Sequence, residues 1–473
     1  MRGVRRVALG MALSFFILSL GLVYWQVVQA DTLLENPANR RLILMESRVT
    51  RGGIFDRNGE ILAQTQTVNG KKEREYPKGE QFEPLLGYST VKLGASGLEG
   101  SSADWLLGIK NATPIQTVQQ LFSLPRQGDD VVLTLDSKLQ SIAYNALKGK
   151  MGAAVAIDPR TGEVLALVSQ PSFDPTNLEQ NWNDIISRKQ ERPLENHAFS
   201  LFPPGSIMKV VTSAALFRSG INTTDLYEST GSAIVNGQTI NEQNGRAFGW
   251  VNYNMALADS CNAYFATFGV KAGDKNFLAA VKSFGFGQKI PFELYVPPSS
   301  ITNAAKPELP AKLTTNLLAA SAFGQGEVLV TPFHMALIAA GIANHGVIMT
   351  PHLVERVLDP AQTVIFQQKP QPWLTALSKE EAAKITSAMV TAVTDGTAAP
   401  GALPNIQVAA KTGSAEPGGN VPTHGWYIAF APAEAPRIAI AVIVEHGGTG
   451  GGAAAPIARQ IMQEALSQKV GDK

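Results

Sequence analysis

The chain has 473 residues, with 40 Lys and Arg against 39 Asp and Glu, a formal net charge of +1. Charges so evenly balanced leave no basic footprint for nucleic acid, and none is expected as a partner. One cysteine, Cys261, excludes an intramolecular disulfide framework and a cysteine-based zinc cluster, and the six histidines show no metal-ligand spacing, so neither a metal nor a cofactor is expected.

In chain order, Val7–Val28 carries no charged side chain. As a helix it would span about 33 Å, enough for a bilayer core. Arg2, Arg5 and Arg6 precede it, which keeps the N-terminus cytoplasmic and places the remainder outside. Tyr24 and Trp25 fall at the outer interface, where amphipathic rings prefer to be. The competing reading is a cleaved signal peptide ending at Val28-Gln29-Ala30, but the apolar run exceeds the roughly 7–15 residues of a signal core. Residues 1–30 therefore read as a cytoplasmic tip and a single-pass anchor in the cell membrane.

Residues 31–129 are polar and turn-rich and read as a β-rich, non-catalytic module. Asn36–Arg41 leads into Arg51–Leu62, in which Asn58-Gly59 between apolar residues signals a hairpin. Lys71–Glu75 is a charge run, read as a solvated loop. Ser89-x-x-Lys92 has nothing buried behind it and reads as a surface pair.

A second domain is assigned to 130–473. Val131–Asp136 reads as a strand ending at an N-cap, and Ser137–Leu147 as an amphipathic helix. Ala153–Ile157 and Val164–Val168 flank Asp158-Pro159-Arg160-Thr161-Gly162, a hairpin apolar enough to be buried on both faces. Pro203-Pro204-Gly205 then forces a turn. Ile207–Phe217 is apolar on every side until Ser219-Gly220 stops it, so the helix is a buried one. Ser206 sits at or beside its N-terminus, with Lys209 on the same face. A hydroxyl with an amine one turn away can be a base-activated nucleophile, although a plain N-cap with a snorkelling lysine explains the pair equally well. A helical, loop-rich region runs to about Leu403. Gln407–Ser414, Gly425–Phe430 and Arg437–Glu445 read as strands, Gly447–Gly452 as a flexible connection that lacks the lysine of a phosphate loop, and Pro456–Ser467 as a closing helix. Two early and three late strands around a helical middle make one mixed α/β domain.

Ser260-Cys261-Asn262 is the only Ser-x-Asn in the chain, and Lys411-Thr412-Gly413 the only Lys-Thr-Gly. Singly, Ser260 and Asn262 could be a helix cap and Lys411 a strand-edge charge. With Ser206-x-x-Lys209 they form an ordered set known from serine acyl-transfer enzymes. Cys261 reads as a small buried hydrophobe, and Trp426 and Phe430 as core.

On these motifs the chain resembles the penicillin-recognising serine transferases, and within them the class B penicillin-binding proteins. Arg51–Gly59 and Gly97-Leu98-Glu99 look like that class's N-terminal module. Phe202–Ser206, Gly324-Gln325-Gly326, Lys411–Glu416 and Trp426–Pro432 look like its transpeptidase domain. The resemblance implies a serine β-lactamase-like fold with a five-stranded antiparallel sheet flanked by helices. It implies a D,D-transpeptidase that cross-links peptidoglycan stem peptides. Ser206 would attack the penultimate D-Ala carbonyl, with Lys209 as base, its pKa lowered by burial beside Lys411. Ser260 would relay a proton to the leaving amine, and Asn262 would bind the substrate amide and fix Lys209. Lys411, Thr412 and Ser414 would hold the terminal carboxylate, and Gly413 would let the backbone approach. The N–H groups of Ser206 and Ser414 would form the oxyanion hole. Further implications are covalent inhibition by β-lactam antibiotics and a membrane partner of the RodA/FtsW glycan polymerase type.

A D,D-carboxypeptidase or β-lactamase on the same fold is the nearest alternative. Glu308 and Glu327 follow the second motif, but neither lies in a Glu-x-x-Leu-Asn pattern, so deacylation should be slow. The intact motifs oppose a catalytically silent penicillin-sensing receptor or scaffold. The roughly 100 residues before the second domain are too few for a glycosyltransferase.

Overall fold

The computed structural model describes residues 2–25, 29, 49–68, 70–90, 92–110, 126–302, 304–418 and 421–468. Asn36–Arg41 and most of the alternative cleavage motif lie outside them. Helix α1 (Arg2–Val23) contains one span, Gly3–Val23, long and apolar enough to cross a membrane, and nothing among the described residues buries it.

The hairpin expected at Asn58-Gly59 forms between β1 (Ile54–Phe55) and β2 (Ile61–Val68). Asp56 Oδ1 holds its turn by accepting from the N–H groups of Asn58 and Glu60, both at 2.8 Å. The charge run is not a solvated loop. It is strand β3 (Lys71–Glu75), paired antiparallel with β2. Strand alternation turns Arg74 inward, where its Nε lies 2.7 Å from Glu99 Oε1. The other oxygen of Glu99 takes Arg51 Nε at 2.5 Å, and Glu99 is fully buried.

Strand β4 (Asp130–Leu133) pairs parallel with β1, and the Asp136 side chain caps α2 (Ser137–Leu147) by accepting from the N–H of Leu139. Then come β5 (Gly152–Ile157) and β6 (Val164–Gln170), paired as the expected hairpin. Helix α3 (Lys209–Arg218) starts later than the sequence suggests, because Gly205–Met208 is a 3-10 turn, so Ser206 lies inside a turn rather than at a helix cap. Beyond Ser219-Gly220, the helical stretch contains more strand than expected. Strands β7 (Ser232–Val235) and β8 (Gln238–Asn241) form a hairpin ahead of α4 (Tyr253–Ala258) and α5 (Asn262–Ser283). Helix α6 (Pro332–Ala343) is buried at every residue. Next are β9 (Val354–Leu358), β10 (Val364–Gln367) and α7 (Lys379–Thr394). The chain closes with β11 (Ala409–Ala415), β12 (His424–Ala431), β13 (Ile438–Val444) and α8 (Ala455–Ser467).

The central sheet has the order β6-β5-β13-β12-β11 and is antiparallel throughout. Its apolar runs follow from two buried faces. Val155, Ile428, Ala441 and Ile443 face a core shared with α6, while Ala154, Ala429, Ile440 and Val442 face one shared with α2 and α8. A second sheet, β10-β9-β4-β1-β2-β3, combines the N-terminal strands with three from after residue 129. The division at 129/130 therefore does not coincide with a break in hydrogen bonding. Gly447–Gly452 also differs from the expected flexible connection. Gly450–Ala453 is one helical turn, capped by Thr449 and packed on β12.

Candidate active site

The turn that carries Ser206 is held from three sides. Trp426 Nε1 donates to Pro203 O at 3.0 Å, and Phe202 packs edge-on against the Trp426 ring. Gly205 N donates to Gly324 O at 2.9 Å. Gly324 has φ +85°, and a Cβ there would stand 1.8 Å from Gly205 O, so only glycine fits. Beneath the turn lies β11, where a Cβ on Gly413 would stand 3.0 Å from Pro204 O. Strand β11 is also the edge of the central sheet.

Lys209 Nζ lies 3.0 Å from Ser206 Oγ, 2.8 Å from Asn262 Oδ1, 2.5 Å from Ser260 O and 3.2 Å from Ser260 Oγ. Ser260 joins α4 to α5 in the left-handed region at φ 67°, a conformation that costs about 1–3 kcal/mol and clusters at functional sites. It turns both the carbonyl and the hydroxyl of Ser260 onto Lys209. Lys411 Nζ lies 2.9 Å from Ser260 Oγ and 2.9 Å from Thr412 O. The three motifs thus meet at one point, with Ser260 Oγ between two amines. Thr412 turns its hydroxyl to Thr397, 2.7 Å away. Ser414 is half-buried, and its carbonyl adjoins Gly205.

Both lysines are fully buried, and the hydrogen bonds to their amines come from no carboxylate. Burial pushes Lys209 down to about 8, against the nearby charge of Glu242. Burial, and then the charge of Lys209, holds Lys411 well below the ordinary lysine range. The neighbour effect expected on Lys209 thus falls on Lys411. The shift makes the neutral amine far more accessible near pH 7 than in an unperturbed lysine. A neutral amine has two N–H bonds and one lone pair. Ser260 O and Asn262 Oδ1 can only accept, so they take the N–H bonds and leave the lone pair for the Ser206 hydroxyl.

Two supporting residues gave no signal in the sequence. Glu242, just after β8, is 4% exposed. Its carboxylate accepts from the N–H groups of Asn262 and Ala263, both at 2.8 Å, and from Cys261 Sγ at 3.0 Å. It therefore caps α5 from a distance and fixes the Ser-x-Asn loop. Cys261 is buried as expected, and burial together with Glu242 pushes its thiol up to about 12. Thr397 is the second, through Thr412. Neither lies in a local pattern with the residue it supports.

Two family descriptions match the chain: the penicillin-binding protein transpeptidase domain over residues 152–463, and the penicillin-binding protein A dimerisation domain over residues 51–131. The chain is 32% identical to the peptidoglycan D,D-transpeptidase PbpA of Mycolicibacterium smegmatis, across 98% of this chain and 99% of that protein. It is 33% identical to PbpA of Mycobacterium tuberculosis H37Rv, across 98% of each. Penicillin-binding protein A of M. tuberculosis, solved as its ceftriaxone acyl-enzyme complex, superimposes with a TM-score of 0.83 at 31% identity, covering 90% of this chain and 100% of that one. Matched along almost its whole length, with its three motifs gathered at one turn, the chain belongs to the penicillin-binding protein transpeptidases, among those most like penicillin-binding protein A.

Proposed function

We propose that the chain is a serine D,D-transpeptidase that cross-links peptidoglycan stem peptides through an acyl-enzyme on Ser206, and that β-lactams acylate the same serine. The observation that carries this reading is the 3.0 Å contact between Lys209 Nζ and Ser206 Oγ, with Ser260 O and Asn262 Oδ1 placed to accept from the same amine. Ser206 gives its proton to Lys209 as Oγ bonds to the penultimate D-Ala carbonyl carbon. The N–H groups of Ser206 and Ser414 receive the oxyanion. As the peptide bond breaks, Lys209 returns the proton through Ser260 Oγ to the departing D-Ala amine. An acceptor amine then attacks the ester, loses its proton by the same route, and Ser206 is restored. The donor peptide lies along the open edge of β11, where Lys411, Thr412 and Ser414 meet its terminal carboxylate. Glu308 and Glu327 are both exposed and bond to none of these residues, which supports slow deacylation.

Residues 1–30 serve as tip and anchor, 31–129 as the partner module and 130–473 as the catalytic domain, with the bulk outside the membrane. Anchor and module would meet a RodA/FtsW-type polymerase. Helix α1 and family membership support this arrangement.

Intact-mass spectrometry of the full chain in detergent with benzylpenicillin tests the chemistry. A stable penicilloyl adduct is expected in wild type and in Ser89→Ala, and none in Ser206→Ala. Fast drug hydrolysis without an adduct would make the protein a β-lactamase instead.

A further inference from the structure

We propose, taking Ser206 as the acylated serine, that His424 is a positioning residue for acylation: its neutral imidazole holds the strand end beside the Ser206 turn, and a proton on Nδ1 releases it. His424 opens β12, is 4% exposed, and pairs with Ala415 at the end of β11. Strand alternation puts its ring on the same face as that of Trp426. Phe202 packs edge-on against both, with ring centroids 5.5 and 6.3 Å away. Phe202 leads through Pro203 and Pro204 into the Ser206 turn. On the partner strand, a Cβ on Gly205 would stand 3.1 Å from Ala415 Cα, so the turn rests directly on this strand end. Ser414, whose N–H would receive the oxyanion, adjoins Ala415. A displacement of about 1 Å at such groups can cost about 10²-fold in rate.

The His446 N–H donates to His424 Nδ1 at 3.2 Å. A backbone N–H cannot accept, so the ring of His424 is neutral and carries its proton on Nε2. His446 lies in the left-handed region at φ 53°. A residue with a side chain stays there only when its surroundings hold it. What holds it is the bond to His424, the 3.3 Å contact of its own Nδ1 with Pro422 O, and the His424 ring 4.8 Å away. A second proton on His424 would set one N–H against another. The turn after β13 would lose that hold, and the ring that Phe202 packs on would shift with it.

The charged and titratable groups facing the ring are His446, Glu445 and Arg192, with His197 beyond Glu445. Arg192 Nη2 and His197 Nδ1 already engage both oxygens of Glu445. Burial, and then the charge of His446, lowers His424 from its ordinary value; Glu445 opposes the shift and Arg192 adds to it. The neutral ring is therefore the resting form at pH 7, and the release belongs below the ordinary histidine value of 6.5.

Acylation of the full chain in detergent by benzylpenicillin, followed by intact mass and mapped by peptide mass, tests this between pH 8 and pH 5. His424→Asn keeps an acceptor at the Nδ1 position and does not titrate. The ratio of the wild-type rate to the His424→Asn rate cancels the titration of Lys209, which both share. It should stay level above pH 7 and fall at least about threefold by pH 5. His197, His446, Glu445 and Arg192 are unchanged in the variant, so their own titration leaves the ratio flat. His424→Phe keeps a ring without the acceptor, and at pH 8 it should be at least about threefold slower than His424→Asn. Hydrogen–deuterium exchange over residues 445–450 keeps the test open if a variant unfolds. In wild type, protection there, corrected for the intrinsic effect of pH, should drop over the same range. A flat ratio, or protection that does not drop, would overturn the proposal. No adduct on Ser206 at any pH would overturn the acyl-enzyme reading and this proposal together, whereas an adduct on Ser206 with a flat ratio overturns this proposal alone.

Discussion

Two clusters of buried cations in this chain are built in opposite ways. In the N-terminal module Arg51 and Arg74 share the carboxylate of Glu99, with the Tyr76 hydroxyl beside it. In the catalytic domain Lys209 and Lys411 share the hydroxyl of Ser260, and the remaining acceptors are neutral oxygens. Burial alone would raise Glu99, but Arg74 and then Arg51 hold it below the ordinary range. That pairing contributes stability present above the ordinary carboxyl range and lost as pH falls through the folded value. The lysines have the reverse sign. Moving Lys209 from 10.5 to about 8 costs about 3 kcal/mol at neutral pH. The cost is full below pH 8 and disappears as pH rises toward the ordinary lysine value. One cluster contributes to folding, and the other costs stability, which on the proposed mechanism keeps an amine reactive.

The comparison breaks most readily at Lys209. Lys209→Met removes the proposed base and fills nearly the same volume. Acylation by benzylpenicillin, followed by mass, should fall by about 10²–10⁴. The melting temperature should not fall, because replacing a buried charge with an apolar group is often neutral or stabilising. Glu99→Gln is the counterpart in the module. It leaves two buried guanidinium groups without their shared carboxylate and should cost about 3–5 kcal/mol in denaturant unfolding. Acylation per folded molecule should change little. If Lys209→Met proved the less stable of the two, the contrast between the clusters would fail.

The lysine site was more legible in the sequence than the arginine site, for a physical reason. Ser206-x-x-Lys209, Ser260-x-Asn262 and Lys411-Thr412-Gly413 are short local strings whose residue types the chemistry requires. The strands β5, β6 and β11–β13 were legible because two buried faces demand unbroken apolar runs. Arg74 looked like part of a solvated charge run because its partner Glu99 lies beyond any local pattern. Strands β9 and β10 were missed because their sheet is completed by β4, far earlier in the chain. Glu242 was missed for the same reason, since it caps α5 from the preceding hairpin. Ser206 is in a 3-10 turn because Gly205 bonds to Gly324, another remote contact.

Glu242 offers a finer test of the lysine cluster. Its negative charge favours the ammonium form of Lys209 and opposes the burial that depresses it. Wild-type acylation should therefore rise with pH through about 8. In Glu242→Gln the ammonium loses that support, and the rising limb should move to lower pH by about one unit. Cys261, Lys411 and Asp259 also face the two amines and remain unchanged. A uniform loss of rate with no movement of the limb would mean that Glu242 only positions the loop.

The smallest effect should come from a contact that carries no charge. Trp426→Phe keeps the ring that packs on Phe202 but removes the Nε1 donor to Pro203 O. Loss of that hydrogen bond should cost about 1 kcal/mol, measured by denaturant unfolding. Gly205 still bonds to Gly324, so the turn stays in place and acylation should fall only a few-fold. Lys209 is untouched, so the pH at which acylation rises should not change. If Trp426→Phe slowed acylation as much as Lys209→Met, placement of Ser206, and not the uncompensated amine, would set the rate. The two cation clusters would then differ in stability alone.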